Sequence, residues 1–160
     1  MKGSLPVAVV LLTSAAFLTS LVPGGPIEDR DFSHIHGLIL IGFNLFLTLL
    51  VLASLILGVR WIRSSTSALW PLLLGVGYLA VYLLDLLKLF PVSPTPMNQA
   101  LWTIEMAGLV LSIVLMVLSL LWAINHPEPN AWDSHVPHWP WLLCIGGLVV
   151  AYATYSAAGI

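Results

Sequence analysis

Five long apolar segments determine what this chain can fold into. They cover residues 5–22, 36–59, 68–90, 98–124 and 139–158. A membrane-spanning helix needs about 20 mostly apolar residues to cross about 30 Å of hydrocarbon, and each segment is long enough. The separators are rich in proline, glycine, serine and asparagine, which end helices. The sequence therefore predicts one domain over residues 1–160, an all-α integral membrane protein built as a bundle of five transmembrane helices.

The composition excludes a water-soluble protein and a nucleic-acid-binding protein. Hydrophobic residues make up 59% of the chain and charged residues only 8%, whereas a soluble domain is about one quarter charged. The net charge of −2 includes no cluster of lysine and arginine that could displace counterions from phosphates. We expect a lipid bilayer as the surroundings of the chain, and a multi-pass protein of a prokaryotic plasma (inner) membrane.

Lysine and arginine near the span ends predict the orientation. Lys2 precedes the first span, and Arg60 and Arg63 follow the second. Short cytoplasmic loops carry an excess of these residues, so we expect the N-terminus inside and the C-terminus outside. Lys88, at the outer end of the third span, argues for the opposite orientation. The basic start and apolar middle of the first segment also resemble a secretory signal, but we expect a retained first span.

Ionisable groups from three spans are predicted to meet in one layer near the outer membrane face. Each such group costs about 2.5–3.5 kcal/mol in mid-membrane, and it therefore usually faces the bundle interior. Asp85 and Lys88 lie at the outer end of the third span, and Glu105 lies about two turns into the fourth. The second span begins on the same side. The candidate site comprises His36, Asp85, Lys88 and Glu105, with His34 and Tyr82 as second choices.

The helical period predicts which faces pack. On the third span, Gly75, Tyr78, Tyr82 and Asp85 share one stripe, and on the fourth span Glu105 is followed by small residues on one stripe. Small residues let membrane helices approach closely. Such stripes are also compatible with a homo-oligomer or with a larger membrane complex.

Two interpretations of the polar layer stay open. Asp85 and Lys88 are three residues apart and could neutralise each other on one helix face, which would make the layer purely structural. Glu105 would then hydrogen-bond a histidine or a tyrosine. In the functional interpretation, the second carboxylate is uncompensated and must be protonated, face water or hold a cation.

A metal ion is the cofactor that this layer could bind, with His36 and Glu105 as its ligands. His34 and His36 point about 200° apart if both are helical, so we expect His36 to face inward and His34 to face the headgroups. No predicted span carries a histidine at mid-depth, which disfavours an internal haem held by two histidines.

The inner loop offers an alternative metal site. Asp133, His135 and His138 are spaced closely enough to bind zinc, although the surrounding prolines favour an irregular loop at the headgroups.

The chain carries no sequence motif of nucleotide binding, metalloprotease or thiol chemistry, so nothing in it supports an enzyme. We expect a small membrane protein with a metal- or proton-binding site, acting as an accessory or assembly subunit of a respiratory or metal-handling complex. One alternative is a small transporter or channel for a proton, an ion or a polar solute. The other alternative is a purely structural subunit.

Overall fold

The computed structural model describes residues 5–21, 27–63 and 67–126, which form four helices and no strand. The helices are α1 (Leu5–Ser20), α2 (Gly37–Arg63), α3 (Leu69–Leu86) and α4 (Gln99–Asn125). Helices α2, α3 and α4 are long and apolar enough to cross a membrane, while α1 is a shorter apolar helix. The prediction of an all-helical membrane protein is confirmed for this part of the chain. The predicted fifth span, 139–158, lies outside the described residues.

The helices form an antiparallel bundle in which α1 packs mainly against α2, and α3 mainly against α4. Contacts of α4 with α1 and of α2 with α3 close the ring. One end of the bundle carries Arg60 and Arg63 in the last turn of α2, and we call it the arginine end. At the opposite end, residues 27–36, the part of the α1–α2 connection that directly precedes α2, form neither helix nor strand. We call this segment the strap, and this end the strap end.

Helix α3 ends four residues earlier than predicted because its last turn closes in a Schellman motif. The backbone N–H of Leu89 donates to Leu84 O at 2.9 Å, and that of Lys88 donates to Asp85 O at 2.8 Å. Lys88 has φ 55°, the left-handed conformation that this motif requires. Lys88 therefore lies beyond the helix, and its side chain does not continue the stripe that ends at Asp85.

The interior of the bundle contains two tyrosines between the strap end and mid-depth. Tyr78 and Tyr82 of α3 are fully buried and stacked, with ring centroids 6.4 Å apart. The Tyr78 hydroxyl donates to Ser54 Oγ of α2 at 2.9 Å. The predicted α3 stripe of Gly75, Tyr78, Tyr82 and Asp85 is buried throughout.

Nearer the arginine end, the buried side chains are mainly apolar and aromatic. Trp61 of α2 meets Trp122 of α4 edge to face, with ring centroids 5.2 Å apart. The buried apolar side chains around them belong to one core cluster and include Val7, Leu11, Leu57 and Leu115. The buried charged groups of the described bundle thus lie at the strap end, while the buried polar side chains nearer the arginine end are serines.

Gly108 of α4 is the described glycine with the least room for a side chain, because a methyl group there would overlap the Tyr82 ring of α3. The ring is rigid and 1% exposed, so it cannot move aside without repacking. We expect Gly108→Ala to destabilise the bundle by about 1–3 kcal/mol, the usual cost of overpacking. Unfolding in mixed detergent micelles measures this.

Gly42 of α2 is the matched control for Gly108, since a Cβ at that position meets no atom within 4 Å. Gly42→Ala should leave stability unchanged or raise it by up to about 1 kcal/mol, because alanine favours the helix. Equal effects of the two substitutions would contradict the packing of Tyr82 on Gly108.

Candidate functional site

A buried arginine from the strap lies at the centre of the most polar region of the described bundle. The Arg30 Nη1 and Nη2 atoms donate to the two carboxylate oxygens of Asp85, each at 2.7 Å. Its Nε and Nη2 atoms also donate to both oxygens of Glu28, at 2.8 and 2.6 Å. The guanidinium carries five N–H groups in a planar fork, and this arrangement presents two of its edges to two carboxylates.

Glu105 of α4 completes the group, which we call the acid–arginine cluster: Glu28, Arg30, Asp85 and Glu105. Glu105 Oε1 lies 3.7 Å from Arg30 Nη2. One oxygen from each of the three carboxyl groups lies within 4.8 Å of the others. All four residues are buried, with relative exposures between 1% and 8%. If every group were ionised, three negative charges would face one positive charge in a region from which water is largely removed.

The three carboxyl groups are not equally satisfied. Asp85 and Glu28 each accept hydrogen bonds from Arg30 on both oxygens. Glu105 has a longer contact with Arg30 through Oε1, and its Oε2 has no hydrogen-bond partner among the described residues. A buried carboxylate without hydrogen bonds is strongly disfavoured in its charged form. Glu105 is therefore the member that most needs a proton or a cation.

Tyr82 lies beside this group. It precedes Asp85 by three residues on the same face of α3, and its ring packs on Gly108, three residues after Glu105. The Tyr82 hydroxyl is buried and, like Glu105 Oε2, has no hydrogen-bond partner in the described part of the chain. Two polar groups that need a partner therefore belong to adjacent turns of the α3–α4 interface.

Arg30 stays charged despite its burial. Burial alone lowers the pKa of the Arg30 guanidinium, but the hydrogen bonds and charges of Asp85 and Glu28 more than offset this, and the net pKa is raised. The Arg30 guanidinium carbon also lies 5.3 Å from the centre of the Phe32 ring, a cation–π contact that stabilises the same charged form.

Polar contacts join the strap to the loop between α3 and α4. The Asn98 side-chain amide donates to Ile27 O at 2.9 Å and to Asp29 Oδ1 at 3.1 Å. Ser93 Oγ donates to Asp31 O at 3.1 Å. Asn98 is also the N-cap of α4, since its Oδ1 accepts the backbone N–H of Leu101 at 2.8 Å. The start of α4 and the position of the strap are therefore coupled through one side chain.

A family model described as "Domain of unknown function (DUF8051)" matches residues 4–133. The chain belongs to this family. The matched range contains all four helices, the strap and every member of the acid–arginine cluster. Comparison with curated proteins and with solved structures found no match.

Three of the six residues predicted for the outer layer lie in or beside the cluster, namely Asp85, Glu105 and Tyr82. The other three are exposed at the strap end: His34, His36 and Lys88. His36, which we expected to face inward, is exposed just before α2 begins, and its Nδ1 accepts the backbone N–H of Leu38 at 3.3 Å. The carboxylates grouped closely enough for a metal are Glu28, Asp85 and Glu105, without His36.

Sequence reasoning missed Glu28 and Arg30. Asp85 is paired with Arg30, which lies 55 residues away in the chain, and not with Lys88, which lies three residues away. A signal was present, because Arg30 is an isolated arginine among acids in a short loop on the side with fewer positive charges. The inner-loop candidates Asp133, His135 and His138 lie outside the described residues.

Removing the Arg30 charge should detach the strap. Arg30→Gln leaves three buried carboxyl groups without a cation, and breaking one partner of a buried ion pair usually costs about 3–5 kcal/mol. We expect hydrogen exchange to become faster at strap amides such as Ile35 N–H, which now donates to Phe32 O. Mass spectrometry of peptides covering residues 27–36 measures this.

Lys88→Gln provides the matched control, because it removes an exposed positive charge at the same end of the bundle. This control should leave exchange in the strap unchanged. Equal protection of the strap in the wild-type chain and in Arg30→Gln would contradict the role assigned to Arg30.

Proposed function

We propose that this chain is a small multi-pass membrane protein that binds a proton on Glu105, within the acid–arginine cluster. The observation that carries the proposal is the imbalance of three buried carboxyl groups around one guanidinium. Arg30 satisfies Asp85 and Glu28 with short hydrogen bonds and leaves Glu105 Oε2 without a partner. A proton on Glu105 removes one negative charge and supplies a donor in a buried place.

We place the cluster near the outer membrane face. Lys2, Arg60 and Arg63 belong to the other end of the chain's first two spans, and such residues favour the cytoplasmic side of a prokaryotic plasma membrane. The N-terminus is then inside, and a fifth span over 139–158 carries the C-terminus outside. In this orientation the proton-binding group is close to the external solution.

We favour an accessory or assembly subunit of a larger membrane complex over a transporter. A transporter needs a polar path from one face of the membrane to the other. In the described bundle, Tyr82, Tyr78 and Ser54 extend the polar region inward from the cluster. Nearer the arginine end the buried side chains are mainly apolar and include Trp61, and the buried Ser119 hydroxyl donates to a backbone carbonyl of its own helix. This arrangement supports exchange of a proton with one side only.

A divalent metal ion is the second candidate ligand. Carboxylate oxygens are ligands of magnesium, calcium and manganese, and the three carboxyl groups are close enough to share one ion. However, the Arg30 guanidinium already lies 2.6–3.7 Å from all three. A metal would have to displace this positive charge, whereas a proton on Glu105 needs no displacement. The proton is therefore the better-supported ligand.

Infrared spectroscopy of the protein in lipid nanodiscs at neutral pH tests the proposal. We expect the C=O stretch of a protonated carboxylic acid, shifted when glutamate is labelled with ¹³C and unchanged when aspartate is labelled. The signal should disappear in Glu105→Gln. It should persist in Asp29→Asn, which removes an exposed carboxylate of the strap.

Absence of this signal in the wild-type protein would contradict proton binding on Glu105. If the carboxylic-acid signal persisted in a folded Glu105→Gln variant, the proton would have to be assigned to another carboxyl group. Titration with Mn²⁺ distinguishes a metal site from a proton site. A metal site would bind one Mn²⁺ per chain, and Asp85→Asn would abolish this binding. If the protein bound neither a proton at this site nor Mn²⁺, the cluster would have a structural role only.

A further inference from the structure

The acid–arginine cluster combines two residues from packed helices with two residues from a segment without regular secondary structure. Asp85 and Glu105 are held by α3 and α4, which pack against each other along their length. Glu28 and Arg30 are held by the strap, which has neither helix nor strand. Glu28 and Arg30 of the strap cover Asp85 and Glu105. The position of the strap therefore determines how far Asp85 and Glu105 are exposed to water.

The apolar attachment of the strap is small. Phe32 forms a buried cluster with Leu40, joined by Ile35, and this cluster is separate from the main core of the bundle. Apart from the Arg30 contacts and the part-buried bond of Asn98 with Ile27 O, the strap is held by hydrogen bonds at exposed positions, such as those of Asp31 with Ser93 and Thr95. Segments with few buried apolar contacts and exposed hydrogen bonds open at low free energy, independently of the rest of the fold.

The ion pair between Glu28 and Arg30, which lies within the strap, makes opening easier. Arg30 is bonded to Glu28 through both Glu28 oxygens, and these residues are only two apart in the chain. The strap can therefore leave the bundle as a unit that retains its own neutral ion pair. Within the acid–arginine cluster, opening breaks the Arg30 contacts with Asp85 and Glu105 and no others. Arg30 would stay paired with Glu28 after opening, and the carboxyl groups of Asp85 and Glu105 would become hydrated.

We propose that the strap is a movable lid that opens to give the external solution access to Asp85 and Glu105 and closes when Arg30 returns to Asp85. The inference rests on the proposed function, because the lid is the route by which Glu105 would exchange its ligand. In the closed form the Arg30 guanidinium occupies the place beside Asp85 and Glu105 that a cation from the external solution would otherwise take. Opening the lid exchanges the guanidinium for water or a small cation.

Locking the strap tests the lid. Asp31 N lies 3.4 Å from Thr95 Oγ1, and neither residue is bonded to the Arg30 side chain. Asp31→Cys and Thr95→Cys, introduced together into a Cys144→Ser chain, can be joined by oxidation or by a short thiol-to-thiol crosslinker. A water-soluble carbodiimide with an amine nucleophile then probes the carboxyl groups, and peptide mass spectrometry reads each position. We expect Asp85 and Glu105 to react at least tenfold more slowly in the locked protein than in the reduced one.

Two controls accompany this experiment. Asp29 is exposed on the strap and should react at the same rate in both forms. Arg30→Gln, which needs no crosslink, should react faster than the wild-type chain at Asp85 and Glu105. Equal rates in the locked and reduced forms would overturn the lid, as would a complete lack of reaction at both positions in the reduced form.

The lid and the proposed function fail in different ways. A carboxylic-acid signal from Glu105 with no effect of the lock would refute the lid alone. Protection by the lock without that signal would retain the lid and refute proton binding on Glu105.

Discussion

The bidentate ion pair between Arg30 and Asp85 is the interaction on which the strap end of this protein depends. It joins a segment without regular structure to the last turn of α3, with two bonds of 2.7 Å. Desolvating two charges costs several kcal/mol per ion, so such a pair persists only where its geometry is good and its other donors are satisfied. Glu28 satisfies two of the remaining three donors, through Nε and Nη2. Arg30 donates short hydrogen bonds to Asp85 and Glu28 but lies farther from Glu105. Glu105 is therefore the candidate ligand-binding group.

The helices and their inner faces were within reach of sequence reasoning. Four apolar segments became α1 to α4, because a membrane requires long helices whose backbone groups are all paired internally. The α3 stripe from Gly75 to Asp85 was predicted from the helical period and is buried. The depth argument that placed Asp85 and Glu105 in one layer also agrees with the structure, in which both belong to the acid–arginine cluster.

The partners of these acids were not within reach. Rules for helix faces relate residues three or four apart, so they favoured Lys88 as the partner of Asp85. The Schellman motif places Lys88 beyond the end of α3, and its local geometry is hard to anticipate in an apolar sequence without a terminal glycine. Arg30 reaches Asp85 only because the strap folds back over α3 and α4. That path depends on contacts between loops, such as Asn98 with Ile27, which have no periodic signature.

A double-mutant cycle between Arg30 and Asp85 tests most directly whether their pairing organises this end of the bundle. Free energies of unfolding in mixed micelles would be compared for Arg30→Gln, Asp85→Asn and the combined variant. We expect a coupling energy of about 1–3 kcal/mol, as found for residues in one ion-pair network. The control cycle of Asp85→Asn with Arg63→Gln, at opposite ends of the bundle, should be additive. Additivity within about 0.5 kcal/mol for Arg30 and Asp85 would contradict the pairing.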